Sequence, residues 1–146
     1  MESNRNSMIL NDFSFKDIKI GMKFSFERLI DKKLVEDFSK ISRDSNPLHM
    51  DQKYASATVF GGRIAHGMLL GSFFSALVGM LCPGKRSLYV SQSLRFKNPL
   101  LIGNLVKVCG KVIDKSSAAQ IITMETLVTD ENKKIIVDGE AIVKIL

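Results

Sequence analysis

The apolar segment from Ala65 to Leu81 is the feature that most constrains the fold, because it predicts a long helix with almost no polar face. Its large side chains are Leu69, Leu70, Phe73, Phe74, Leu77, Val78 and Leu81. The residues between them are small, and Pro83 and Gly84 end the segment. A helix that is apolar nearly all round is buried, so the rest of the chain must enclose it.

The chain after this segment changes to the alternating pattern of strands. Four strands are predicted, at 87–96, 105–113, 119–128 and 134–145. The turns between them are predicted at 98–99, 103–104, 115–117 and 130–132. An earlier strand is predicted at 23–27. The chain is therefore expected to be one α+β domain over 1–146, a curved antiparallel sheet around one central helix, with 1–12 as a flexible or peripheral arm.

The segment before the central helix combines a helix with a turn. An amphipathic stripe of Leu34, Val35, Phe38 and Ile41 predicts a helix that Asp31 caps. Pro47 disfavours helix at the preceding residue, so this helix is expected to end near Ser42. The stretch 44–49 is then predicted to be a turn, and 51–57 a short helix.

Composition narrows the possible partners and the compartment. The formal charge is +6, but the basic residues are scattered, so an anionic cofactor or carrier protein is favoured over nucleic acid. Cys82 and Cys109 match no metal-binding spacing and are expected to be thiols. The longest apolar run, 68–82, is shorter than the roughly 20 residues that span a bilayer. A cytoplasmic protein without a metal or a membrane span is expected.

Asp44 and His49 are the candidate catalytic pair, with Asn46 and Pro47 between them on the predicted turn. A carboxylate and an imidazole held together can bind a water, one taking its proton and the other delivering a proton nearby. Gly67, in the first turn of the central helix, offers an unhindered N–H where a developing oxyanion is stabilised. This set suits the addition of water to a double bond conjugated to a carbonyl, or the removal of water to form that double bond. It also suits the hydrolysis of a thioester.

Taken singly, each of these residues also has a purely structural explanation. His66 is interpreted as a residue that packs beside the helix start, and Ser75 alone would be a small packing residue. As an ordered set, however, the residues favour an active site.

Three stretches of the sequence resemble the MaoC-like (R)-specific enoyl-CoA hydratases. They are Asp44–His49, Phe60–Leu69 and Ser91–Pro99. The resemblance covers about residues 20–145, nearly the whole chain. Members of that family often have glycine just before the aspartate, where this chain has Arg43.

The resemblance implies a hot-dog fold, in which the sheet wraps around the long helix, in a homodimer with the site at the subunit interface. It implies hydration of trans-2-enoyl-CoA to (R)-3-hydroxyacyl-CoA, with neither metal nor redox cofactor. Carried over to this chain, Asp44 and His49 would activate water, and Gly67 would supply the oxyanion N–H. Ser75 falls where short bacterial members have an active-site serine.

Several alternatives stay open at this point. The same residues would serve a dehydratase acting on an acyl-carrier-protein thioester. The basic residues Lys85, Arg86, Arg95 and Lys97 could bind either CoA or a carrier protein, or could simply be solvated. A thioesterase is disfavoured by the Asp-x-Asn-Pro-x-His element. The alternative that is not an enzyme is a non-catalytic subunit that binds acyl thioesters.

Overall fold

The protein is built on one antiparallel sheet, as seen in a computed structural model that describes residues 7–146. Its strands are β1 (Lys23–Leu29), β2 (Ser87–Gln92), β3 (Arg95–Phe96), β4 (Leu105–Ser116), β5 (Ile121–Thr129) and β6 (Ile135–Ile145). The strand order is β1-β4-β5-β6-β2, and β3 pairs with β6 beside β2. Strands β1 and β2 therefore form the two edges of the sheet.

The helical elements lie between β1 and β2 in the chain. They are α1 (Lys32–Ser42), α2 (Pro47–Met50), α3 (Gln52–Ser56), α4 (Gly67–Ser72) and α5 (Phe74–Ala76), followed by a π-helical turn (Leu77–Leu81). The last three follow one another closely and together make the central helical segment, 67–81. The predicted end of α1 at Ser42 is confirmed, and so is a short helix within 51–57.

The central helical segment differs from the single helix predicted for 65–81. It begins at Gly67, and it is interrupted at Phe73. The Ser72 hydroxyl donates to the carbonyl of Leu69, the group that Phe73 N–H would bond in a regular helix. Phe73 N–H instead bonds Leu70, one residue closer, which tightens the turn. A serine inside an apolar helix is therefore the physical reason for the break.

The core lies between this segment and one face of the sheet. Buried side chains of the segment pack with those of β4, β5 and β6, among them Leu69, Leu70, Phe74 and Leu77 against Val106, Val108, Val128 and Val137. A second cluster around Val78 and Cys82 continues toward Val112, Met124 and Val143. A Cβ at Gly110 of β4 would lie 2.7 Å from Leu77 Cδ2, so the helix approaches the sheet closely. The segment is thus buried on the side that faces the sheet, as predicted, whereas Met68, Ser72 and Ser75 on its other side are exposed.

The strand predicted at 87–96 is two strands, because the chain bends over β6 at Ser93. Ser93 exchanges hydrogen bonds with the backbone of Glu140, through Ser93 N–H and Ser93 Oγ. The Ser93 carbonyl lies so close to Gly139 that a Cβ there would be 1.8 Å from it. Only glycine permits this crossing.

One other boundary prediction is wrong, and the predicted arm is described only in part. Strand β4 continues to Ser116, so most of the turn predicted at 115–117 is strand, paired with the start of β5. Of the predicted arm 1–12, residues 1–6 lie outside the described residues. Its last residues are held in place, since Asn11 N–H donates to the carbonyl of Met80 and Asp12 pairs with Arg86 at 2.7 Å.

The crossing at Gly139 yields a stability prediction. Gly139→Ala is expected to lower the free energy of unfolding by about 2 kcal/mol or more, because its methyl group would collide with backbone that cannot move aside. Chemical denaturation measures this change. Gly79→Ala is the control, since a Cβ at Gly79 meets nothing within 4 Å. Equal stability of the two variants would contradict the close crossing.

Candidate active site

The loop that carries Asp44 begins where α1 ends. Arg43 terminates the helix with a left-handed backbone, at φ 65°. Asp44 N–H then donates to Ser42 Oγ, and Asp44 Oδ1 accepts from the Asn46 N–H at 3.1 Å. These bonds fix the carboxylate while leaving about half of it exposed, at 48%. The left-handed conformation also explains why glycine would suit the position before the aspartate.

His49 lies on a helix rather than on the predicted turn. Asn46 caps α2 by accepting the Leu48 N–H at 2.9 Å, and Pro47 occupies its first turn, where its missing N–H costs nothing. His49 Nδ1 lies 2.8 Å from the carbonyl oxygen of Ile64. Because a carbonyl only accepts, Nδ1 carries the proton in neutral His49, and its Nε2 retains a lone pair that can act as a base.

His66 is buried next to this pair, with only 2% of its surface exposed. Its Nε2 lies 3.0 Å from the backbone carbonyl of Asp44 and 4.0 Å from the Asp44 carboxylate. Its ring centroid is 4.0 Å from that of His49, and the edge of Phe38 contacts it. Burial lowers the pKa of His66, so the ring is neutral at physiological pH. Sequence analysis placed His66 at the helix start but missed its contacts with both members of the pair.

Gly67 opens α4 directly after His66. The first N–H groups of a helix have no partner within the helix, and they lie at the positive end of its dipole. A Cβ at Gly67 would lie 2.6 Å from the Phe96 ring, so a side chain here would displace that ring. The absence of a side chain at Gly67 therefore lets the Phe96 ring lie against the start of α4.

These groups share one cavity of about 330 Å³. Its polar wall includes Asp44, His49 and His66, and its apolar wall includes Met68, Leu70, Phe96, Leu100, Ile136 and Val137. An apolar cavity with a few convergent polar groups is typical of a small-molecule site. The predicted convergence of Asp44, His49 and Gly67 is thus present in the fold.

The other candidate residues lie apart from this cavity, with one exception. Lys97 lines it. Arg95 pairs with Asp138 and Arg86 with Asp12, each at 2.7 Å, and Lys85 is exposed beside Arg86. Ser75 is exposed on α5 and is not among the residues that line the cavity. Within this chain, the four basic residues therefore do not form one niche around the site.

The same three side chains are also grouped closely enough for a metal site. Asp44, His49 and His66 each offer a ligand atom, and these atoms lie within 4.8 Å of one another. Imidazole and carboxylate are suitable ligands for divalent transition metals. However, His66 Nε2 already bonds the Asp44 carbonyl, and its Nδ1 is enclosed without a hydrogen-bond partner among residues 7–146. A metal would have to break this arrangement, so the geometry suits proton transfer better.

Comparisons with known proteins identify the family. Residues 15–134 match the family model of the MaoC-like domain. The (R)-specific enoyl-CoA hydratase of Rhodospirillum rubrum is 39% identical over 131 residues, which are 90% of each chain. The chain belongs to the MaoC-like family.

Two further relatives are similar to this chain over most of its length. The solved (R)-hydratase from A. caviae involved in PHA biosynthesis superimposes with a TM-score of 0.88 at 37% identity, over 90% of this chain and 99% of that one. A mitochondrial 3-hydroxyacyl-[acyl-carrier-protein] dehydratase from Arabidopsis thaliana is 31% identical over 94% of this chain and 86% of that protein. The predictions of a hot-dog fold and of an enzyme of the hydro-lyase class are confirmed. Among residues 7–146, no helix combines the length and apolarity that crossing a membrane requires.

The left-handed backbone of Arg43 gives a second stability prediction. A left-handed conformation costs a residue with a side chain about 1 kcal/mol, and glycine avoids this cost. Arg43→Gly is therefore expected to raise the free energy of unfolding by about 0.5–1 kcal/mol, as measured by chemical denaturation. Glu36→Gly, in the middle of α1, is the matched control and is expected to lose roughly 1 kcal/mol. A loss of stability in Arg43→Gly would contradict the assigned backbone.

Proposed function

We propose that the protein is an (R)-specific enoyl-CoA hydratase, which adds water to trans-2-enoyl-CoA to give (R)-3-hydroxyacyl-CoA. One observation carries the proposal: the base nitrogen of His49 and the carboxylate of Asp44 share a mostly apolar cavity with the helix N-terminus at Gly67. The names of the relatives from Rhodospirillum rubrum and A. caviae support the substrate class and the (R) configuration.

The residues divide the reaction between them. The N–H of Gly67 binds the thioester oxygen, where negative charge develops as water attacks C3 of the double bond. Asp44 accepts a hydrogen bond from the attacking water and orients it. His49 Nε2 takes a proton from that water as the new C–O bond forms, and the imidazolium then gives this proton to C2. The elements of water are thereby added, and His49 returns to its neutral form.

Substitution of the pair tests this division. Asp44→Asn and His49→Gln are each expected to lower kcat for hydration of crotonyl-CoA by about 10²–10⁴-fold, because each removes a group that handles protons. The loss of enoyl-thioester absorbance measures the rate. Asp51→Asn is the control: Asp51 is a nearby exposed carboxylate that caps α3, and asparagine caps equally well. Near wild-type rates for both site variants would refute the assignment.

An acyl-carrier protein competes with CoA as the carrier of the acyl group. The relative from Arabidopsis thaliana is named as acting on an acyl-carrier-protein thioester, and the chain has a net charge of +6, which favours an acidic protein partner. Comparison of kcat/KM for crotonyl-CoA and for crotonyl-acyl-carrier protein decides between them. Binding of acyl-CoA without turnover of either would instead favour the non-catalytic subunit.

A homodimer is also part of the proposal. Strand β2 is an edge of the sheet, and three consecutive residues on it are exposed and apolar or aromatic: Leu88, Tyr89 and Val90. Met68 and Phe96, next to the site, are more than half exposed as well. An apolar edge strand is a surface that a second chain covers. A second copy on this edge would shield the apolar side of the cavity.

A charge on this edge tests the dimer. Val90 is 56% exposed, and Val90→Lys is expected to shift the protein from dimer to monomer in sedimentation, with at least about a tenfold loss of hydration, because burying an unpaired lysine is costly. Ile41→Lys is the control, since Ile41 is 83% exposed on α1. If Val90→Lys remained dimeric with full activity, this edge would not be the interface.

A further inference from the structure

His66 joins the parts of the site that lie apart in the sequence. Its Nε2 is 3.0 Å from the Asp44 carbonyl, its ring lies against that of His49, and its own position caps α4 directly before Gly67. His66 is therefore in contact with Asp44 and His49 and directly precedes Gly67.

The hydrogen bond determines which form of His66 is present. The Asp44 carbonyl only accepts, so His66 Nε2 donates, and in the neutral ring Nδ1 carries only a lone pair. That Nδ1 is buried without a partner within residues 7–146. A buried nitrogen without a hydrogen-bond partner is unfavourable. A phenylalanine would fill the same space beside Phe38 and would have no such nitrogen. The benefit that histidine adds is therefore the bond from Nε2 to the Asp44 loop.

We infer that His66 is a positioning residue of the hydration site, which holds the Asp44 loop against the ring of His49 and the start of α4. This inference rests on the proposed function. His66 acts through Asp44 and His49 and takes no proton from the substrate. Losing its N–H donor frees the Asp44 carbonyl, and the carboxylate then moves relative to His49 Nε2.

Two variants separate positioning from packing. His66→Phe keeps a ring against His49 but has no donor. His66→Gln loses the ring but can place its amide N–H where Nε2 lies. If His66 acts by positioning the Asp44 loop, His66→Phe lowers activity more than His66→Gln does. If His66 acts only by packing, His66→Gln lowers activity more.

Kinetics give the first measurement. His66→Phe is expected to lower kcat about 10- to 100-fold while KM changes by less than about threefold, because a displacement of the reacting groups by about 1 Å has such an effect on rate. His66→Gln is expected to stay within about fivefold of wild type. A kcat for His66→Phe within about twofold of wild type would overturn the inference, and so would equal losses in the two variants with equal losses of thermal stability.

Hydrogen exchange gives a measurement that does not depend on turnover. The amides of Asn46, Leu48 and His49 are bonded inside the Asp44–His49 segment. His66→Phe is expected to speed their exchange by about fivefold or more, the effect of losing one hydrogen bond, and His66→Gln to leave it unchanged. Unchanged exchange in His66→Phe would contradict positioning.

The two tests separate this inference from the proposed function. If the wild type fails to hydrate crotonyl-CoA, the proposed function fails, and exchange still decides the role of His66. If His66→Phe does not fold, His66→Asn replaces it, since asparagine is too short to reach the Asp44 carbonyl. Positioning then predicts fast exchange in His66→Asn and slow exchange in His66→Gln, and the opposite order would overturn it.

Discussion

Burial of the central helical segment 67–81 is the constraint on which the rest of the structure depends. Its large side chains each contribute on the order of 2 kcal/mol when they are removed from water, and no polar face opposes this. The sheet supplies the covering surface, and Gly110 lets β4 approach Leu77 closely. Once the segment is seated, its N-terminus at Gly67 is fixed at one edge of the core. The position of the proposed oxyanion site therefore follows from the packing.

The short stretch before Gly67 joins the two halves of the site. The Ile64 carbonyl accepts from His49 Nδ1, and His66 Nε2 donates to the Asp44 carbonyl. Ala65, between them, donates its N–H to the carbonyl of Leu100 at 2.8 Å, which anchors the stretch to the segment before β4. Residues two apart in an extended chain lie on the same side, and here the carbonyl of Ile64 and the side chain of His66 hold His49 and the Asp44 loop. The geometry of the pair is thus set by backbone bonds as much as by the pair itself.

Much of the fold could be predicted because its signals are local. The apolar run marked the central segment, and Pro47 marked the end of α1. What failed depended on contacts distant in sequence or on a single hydrogen bond. The break at Phe73 arises from the Ser72 hydroxyl, and the bend at Ser93 arises from the close approach to Gly139. Neither residue pattern differs from that of an unbroken element.

The site was predictable in part for the same reason. Asp44 and His49 are close in the chain, so their convergence follows from local structure. His66 lies 22 residues from Asp44, and only the fold brings its Nε2 to the Asp44 carbonyl. The basic residues were the opposite case: they are close in sequence, but Arg86 and Arg95 pair with different carboxylates. Sequence proximity predicted that Asp44 and His49 converge, but it did not predict which residues surround them.

The central claim is that one pair of side chains, on one wall of the cavity, handles both the water and the proton. The most direct measurement is hydration of crotonyl-CoA in D₂O, with the configuration at C2 and C3 of the product determined by NMR and chiral analysis. Because the polar atoms of Asp44 and His49 lie within 4.8 Å of each other, deuterium and hydroxyl are expected on the same face of the former double bond, in the (R)-alcohol. Addition to opposite faces would require a proton donor on the far wall and would contradict the account.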